Sequence, residues 1–104
     1  MKLMTKELYE KIPKLGSTSE KKAEDIPIIC KFFDPCGSWK WYATEGQKEG
    51  DDFIFFGLVR GFENELGSFS LNELQSVKGK FGLGIERDLH FKKHMLSEAV
   101  EKQI

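Results

Sequence analysis

The stretch that decides the fold reads KFFDPCGSWKWYATEG over residues 31–46, followed by DDFIFFGLV over residues 51–59. Aromatic and β-branched residues are enriched in strands, whereas the Asp-Pro-Cys-Gly-Ser run at 34–38 has the composition of a turn. We therefore predict strands over 26–33, 39–45 and 53–62. The third is apolar on both of its faces, which is typical of a central strand that is covered on both sides.

The chain after this stretch turns again at 62–67, and a short fourth strand is expected at 68–70. Ser70-Leu71-Asn72-Glu73 matches the capping-box pattern of a helix start, in which the serine hydroxyl and the glutamate carboxylate satisfy main-chain amides. Leu71, Leu74 and Val77 would form the apolar stripe of that helix, and Gly79 would end it.

The ends of the chain give weaker signals. Thr5 is a suitable cap for a helix over 5–12, and Ser97 for one over 97–103. The polar run 16–25 has no apolar periodicity and is interpreted as a mobile connection, and 46–50 as a loop. A last strand is expected at 88–91.

Successive strands joined by short links favour an antiparallel meander, because parallel strands need long crossovers. The predicted fold class is α+β, with a sheet of four to five strands and two or three short helices packed on it. A chain of 104 residues suits one domain. We divide it into a helical or flexible segment (1–25), a sheet–helix core (26–91) and a C-terminal helix or tail (92–104).

Composition excludes some partners. The formal net charge of −1 gives no general attraction to nucleic acid or anionic lipid. No apolar run resembles a signal peptide or a membrane span, so a cytoplasmic protein without membrane contact is expected. Cys30 and Cys36 would then be reduced thiols, and their spacing matches no common redox or zinc pattern.

Four segments, KFFDPCGSWKWYATEG, DDFIFFGLV, FSLNELQSV and GLGIERDLHF, together resemble the bacterial DUF2958 family in order and spacing. The resemblance covers most of the chain. It implies a family of unknown function that is met on plasmids and other mobile elements, and it supplies no catalytic residues. Gly84 stands where the family pattern leads us to expect proline, and the stretch before Pro27 is less characteristic.

Carboxylates at strand ends and in loops form one candidate site: Glu45, Asp51, Asp52, Glu86 and Asp88. Convergent carboxylates bind Mg²⁺ or Mn²⁺, as in metal-dependent nucleases. The alternative, which we favour, is that they are solvated or cap nearby amides, since charged residues are mostly exposed without a special role.

A second candidate site is aromatic and basic: Lys31, Trp39, Lys40, Trp41 and Tyr42. Exposed rings flanked by lysines could stack single-stranded bases. The more common role of aromatic residues in a strand is to form the core, and this is the favoured interpretation.

The remaining motifs favour structural roles. Cys30, Cys36, His90 and His94 are residue types that bind zinc, but Cys30 lies within a predicted strand and is interpreted as a core residue. The glycines at 79, 82 and 84 follow a helix, which is the wrong context for a phosphate loop. We predict neither a metal site nor a cofactor.

Two functions stay open at this point. The favoured one is a non-enzymatic binding or accessory module that contacts a protein or single-stranded nucleic acid. The alternative is a metal-dependent nuclease or hydrolase that uses the acidic residues. Convergence of the carboxylates would favour the enzyme, and an exposed apolar patch would favour the binding module.

Overall fold

The computed structural model describes residues 2–104. Its elements follow one another as α1 (Lys6–Lys11), β1 (Cys30–Phe33), β2 (Lys40–Glu49), β3 (Asp52–Arg60), β4 (Asn64–Ser70), α2 (Leu71–Ser76), β5 (Glu86–Arg87) and α3 (Leu96–Glu101). Single 3₁₀ turns lie at Ala23–Asp25 and Lys80–Gly82.

The five strands form one antiparallel sheet in the order β4-β3-β2-β1-β5. The first four strands make a meander, and β5 returns to pair with β1 after α2. The predicted α+β class is confirmed, and so is the interior position of β3. The outer strands of the sheet are β4 and β5.

One face of the sheet, which we call the α2 face, carries most of the aromatic core. Phe32, Trp41 and Phe55 point to this side and pack with Leu71 and Leu74 of α2. Phe55 also stacks on Phe69 of β4, with ring centroids 5.2 Å apart. This continuous apolar contact fixes the register, since a shift by one residue would turn every side chain to the other face.

The opposite face, which we call the α3 face, is covered by α3 and contains buried polar groups. Tyr42 and Leu58 pack with Leu96 and Ala99. Arg60 is buried on this side, where its guanidinium donates to the main-chain oxygens of Ala99 and Lys102. These carbonyls lie at the C-terminal end of α3, where a cation is favourable.

Predictions for several boundaries were wrong. β2 continues to Glu49 through the predicted loop, and the last strand lies at Glu86–Arg87 instead of 88–91. The cap of α3 is Met95 rather than Ser97. The helix α2 ends at Ser76, three residues before Gly79.

The 16–25 run is held against the sheet and is not an unattached connection. Thr18 is buried, and both its amide and its hydroxyl donate to the Glu45 carboxylate of β2. This contact joins residues 27 positions apart. Local composition cannot reveal such a contact, because its partner lies on another strand.

Candidate binding site along an open sheet edge

Glu45 is an internal structural carboxylate in this fold. It is only 4 % exposed and accepts hydrogen bonds from the amides of Gly16 (2.7 Å) and Thr18 (2.9 Å). Burial alone would raise the pKa of Glu45, but these hydrogen bonds and the one from the Thr18 hydroxyl outweigh it, so the pKa lies below its ordinary value. The charge of Glu45 therefore fixes a loop to the sheet.

Asp52, the first residue of β3, caps the start of α2. Its carboxylate accepts from the Ser70 hydroxyl and from the Asn72 amide, 3.0 Å away. The Ser70 hydroxyl in turn accepts from the Glu73 amide, as the sequence predicts for the helix cap. Hydrogen bonds, from Ser70 above all, lower the pKa of Asp52. Its neighbour Asp51 is exposed in the β2–β3 turn.

Glu86 and Asp88 lie far from these residues. Glu86 pairs with Phe33, whose other partner is Lys40 at the start of β2, whereas Asp52 pairs with Glu49 at its end. A ten-residue strand such as β2 is about 30 Å long. Asp51 and Asp52 therefore lie at one end of the sheet, Glu86 lies toward the other end, and Glu45 lies in the middle of β2.

Asp88 already has a cationic partner, because its carboxylate lies 3.6 Å from the Lys31 ammonium. Within residues 2–104, carboxylate, histidine and cysteine side chains do not assemble into a group of three that could hold a metal ion. His94 instead contacts Glu98 at 2.9 Å. Cys30 is buried, and burial raises the pKa of its thiol to about 12.

The predicted aromatic and basic positions do not combine into one surface. Trp41 and Tyr42 are buried on opposite faces of β2. Lys31 is buried as well, and its ammonium and the Tyr42 hydroxyl both donate to the main-chain oxygen of Ile104. Lys40 donates to the Gln103 side chain. The C-terminal residues thus cover this part of the α3 face, whereas Trp39 lines a surface cleft.

The feature that the sequence analysis missed is the outer edge of β4. This strand runs over seven residues, Asn64–Ser70, and most of them are exposed. It is paired with β3 on one side, and within residues 2–104 no strand pairs with it on the other. Its register with β3 is continuous, without a bulge, and its sequence NELGSFS contains neither proline nor lysine. Such residues and irregularities are the usual protections of an edge strand.

The direction of the main chain along this edge follows from one hydrogen bond. The Phe56 carbonyl accepts from the Thr44 hydroxyl of β2, so the main chain of Phe56 faces β2. Its register partner on β4 is Ser68, whose main chain then faces away from β3. By the same two-residue alternation, Leu66 also presents its amide and carbonyl outward.

An apolar cleft of about 510 Å³ adjoins this edge on the α3 face. The sheet side of the cleft is lined by residues of β2, β3 and β4, and the other side by Leu96 and residues between 15 and 26. The residues on the sheet side are Thr44, Glu45, Phe56, Leu66 and Ser68. Leu66 is 54 % exposed here. We call this the edge cleft. Glu45 holds its loop wall in place, so the acidic residue singled out from the sequence helps to form the cleft.

The sequence contains a partial signal for this site. Residues 64–70 alternate, with Leu66 and Ser68 on the α3 face and Glu65, Gly67 and Phe69 on the α2 face. Asn, Glu and Gly are depleted in strands, however, and this composition limited the predicted strand to 68–70. Pairing with β3 overrides these weak local preferences.

The model of one protein family, described as "Protein of unknown function (DUF2958)", matches residues 3–102. No curated protein and no solved structure matches the chain. At six residues each, the α-helices found within residues 2–104 fall short of the length and apolar content of a membrane span.

Proposed function

We propose that this chain, which belongs to the DUF2958 family of proteins of unknown function, is a non-enzymatic binding module. It takes up an extended segment of a partner protein as an additional strand beside β4. The observation that carries the proposal is the seven-residue outer strand, which has no neighbouring strand on its outer side among the residues that the structure describes and which borders an apolar cleft.

The chemistry of strand addition fits this edge. Main-chain hydrogen bonds to a sheet edge provide affinity, and pockets for alternate side chains provide specificity. The outward amides and carbonyls of Leu66 and Ser68 supply the first, and the edge cleft next to Leu66 supplies the second. An added strand would place an apolar side chain on the α3 face, beside Leu66.

The metal-dependent nuclease or hydrolase is not adopted, because its carboxylates have other roles. Glu45 binds a loop, Asp52 caps a helix and Asp88 pairs with Lys31. Stacking of single-stranded bases on β2 is not adopted either, since Trp41 and Tyr42 are buried.

The cellular setting is part of the proposal. The family resemblance supports a bacterial accessory role on plasmids or other mobile elements. The cytoplasmic location rests on the expectation from the sequence, which has no run resembling a signal peptide.

The test uses a displayed library of random decapeptides selected on the full chain. We expect enriched peptides with alternating apolar residues, and we expect binding to slow hydrogen exchange at the Leu66 and Ser68 amides. Ser68→Pro removes one outward amide and should weaken binding by about tenfold or more, whereas Ser68→Ala should bind normally. Equal binding by Ser68→Pro, or the absence of enriched peptides, would contradict strand addition.

A further inference from the structure

A second cleft lies at the same edge, on the α2 face. It has a volume of about 350 Å³ and is lined by Trp39, Val59, Gly61, Phe62, Glu63 and Glu65. We call it the aromatic–acidic cleft. The β3–β4 turn forms its outer wall, and Glu65, which pairs with Val59, connects it to β4.

The two rings of this cleft are held in place by the fold. Phe62 meets Trp39 edge-on, with ring centroids 5.3 Å apart, and Trp39 in turn contacts Trp41 at 5.9 Å. Trp39 packs so closely on Gly61 that a Cβ atom at Gly61 would lie 2.5 Å from the indole ring. Phe62 is nevertheless 95 % exposed. Trp39 and Phe62 together form an apolar patch at this edge, and contiguous apolar patches mark interaction sites.

The cleft has negative charge and aromatic faces but no cation of its own. Among residues 2–104, Lys31 and Arg60 make cation–π contacts, and these involve Tyr42 and Phe91 rather than the rings of this cleft. In the same part of the chain, the ion pairs join Lys31 to Asp88 and His94 to Glu98, so Glu63 and Glu65 have no basic partner. The nearest arginine in the sequence, Arg60, is buried on the other face.

We infer that the partner strand carries a lysine or arginine that enters the aromatic–acidic cleft, an inference that rests on the proposed function. A strand added beside β4 brings one side chain next to Glu65 on the α2 face, since cross-strand neighbours on one face lie about 5 Å apart. A cation there is attracted by the carboxylates and by the ring faces of Trp39 and Phe62. The same two carboxylates disfavour a nucleic-acid phosphate at this position.

Fluorine NMR of the full chain labelled with fluorotryptophan tests the cleft separately from the edge. The chain has two tryptophans. Trp39 lines the cleft, whereas Trp41 is buried and serves as an internal reference. The probes are acetyl-arginine amide, acetyl-lysine amide and the neutral isostere acetyl-citrulline amide, together with single-stranded oligothymidylate.

We expect a saturable, salt-sensitive shift of the Trp39 signal with the arginine or lysine amide, larger than the shift of Trp41 and absent with citrulline. The double variant Glu63→Gln/Glu65→Gln should weaken this binding by about tenfold. Glu49→Gln, an exposed acid at the far end of β2, should leave it unchanged. Equal shifts with citrulline, no saturable shift with either cation, or saturable binding of the oligonucleotide would overturn the inference.

The same spectra test strand addition and the cation site independently. Ser68→Pro should weaken peptide binding by about tenfold or more but preserve the Trp39 shift with arginine amide, because the single amino acid does not pair with β4. If strand addition fails and this shift persists, the cation site stands without the proposed function. If peptides bind β4 but their basic residue can be replaced by norleucine without loss of affinity, the cation site is wrong and strand addition stands.

Discussion

The two outer strands of the sheet, β4 and β5, end it in different ways. β5 has two residues, and the guanidinium of one of them, Arg87, donates to the main-chain oxygens of Lys2 and Leu3. β4 has seven residues and pairs with β3 along its whole length, and no strand of the described part of the chain pairs with its other side. A short strand tied to another segment is a common protection against unwanted pairing. The comparison indicates that one edge is closed and the other is kept available.

The open edge also differs from the closed edge in the cavities next to it. Both faces of β4 adjoin a cleft, one apolar beside Leu66 and one aromatic and acidic beside Glu65. A strand paired with β4 would thus meet one side-chain pocket on each face of the sheet, and such pockets give strand addition its selectivity. Because these pockets lie beside it, we do not interpret β4 as an edge strand that merely lacks protection.

The largest expected effect is the difference in stability between alanine substitutions at two paired glycines. Gly57 lies inside the sheet and Gly67 on the open edge. A Cβ atom at Gly57 would lie 1.8 Å from the Tyr42 carbonyl oxygen, whereas at Gly67 it would meet no atom within 4 Å. Gly57→Ala should destabilise the fold by more than about 4 kcal/mol or prevent folding. Gly67→Ala should be neutral or stabilising by up to about 1 kcal/mol. Urea unfolding and soluble yield measure both, and similar losses would contradict the difference between the positions.

The next prediction separates the two sides of β4 itself. The Gly67 amide faces β3, so Gly67→Pro should remove a ladder hydrogen bond and cost about 3 kcal/mol. The Ser68 amide faces outward, so Ser68→Pro should change the free energy of unfolding much less. Chemical denaturation of the two variants is the measurement. A larger loss for Ser68→Pro would mean that the outward assignment of Ser68, on which the peptide test depends, is wrong.

Much of the sheet could be predicted from the sequence, because its signals are local. The apolarity of Phe53 to Val59 on both sides indicates a central strand, and the position of Ser70 before Leu71 indicates a helix start; both are confirmed. Burial of Cys30 in the core is confirmed too. In each case the deciding neighbours lie within a few residues in the chain.

The candidate site could not be predicted in the same way, because it depends on contacts between distant residues. Glu45 binds Thr18, 27 positions away, and Asp52 binds Ser70, 18 positions away. From sequence alone metal binding, exposure to solvent and capping of a nearby amide all stay open for these carboxylates, and the partner residues are not indicated. The open edge of β4 depends on the strand order, and the sequence of residues 64–70 does not indicate which strand will lie outermost.

A pH-dependent prediction concerns Glu45, which holds the loop wall of the edge cleft. Glu45→Gln should cost about 1–3 kcal/mol at neutral pH, because three donors lose a charged acceptor. The pKa of Glu45 is lower in the folded chain than its ordinary value. The stabilising contribution is therefore complete above the unfolded pKa of about 4.3 and is lost as the pH falls through the folded value.

Urea midpoints of wild type and Glu45→Gln should accordingly differ by a constant amount between neutral and mildly acidic pH and converge in stronger acid. Glu49→Gln, an exposed acid on the same strand, is the matched control and should show no such difference. A gap that widens on acidification would show that the carboxylate does not stabilise the loop wall as an anion.

The smallest effect is expected from opening the closed edge. Arg87→Met removes the hydrogen bonds to the Lys2 and Leu3 carbonyls and should cost about 1 kcal/mol, while Arg87→Lys should cost less because it keeps a donor. Hydrogen exchange should accelerate at Phe33 and Glu86, which are register partners in β1 and β5, and stay unchanged at Gly67 and Phe69, whose amides face β3. The effect is small because β5 is short and Leu3 keeps its buried apolar contacts. Faster exchange along β4 instead would mean that the two edges are coupled, and the contrast between a closed and an open edge would then no longer explain where a partner binds.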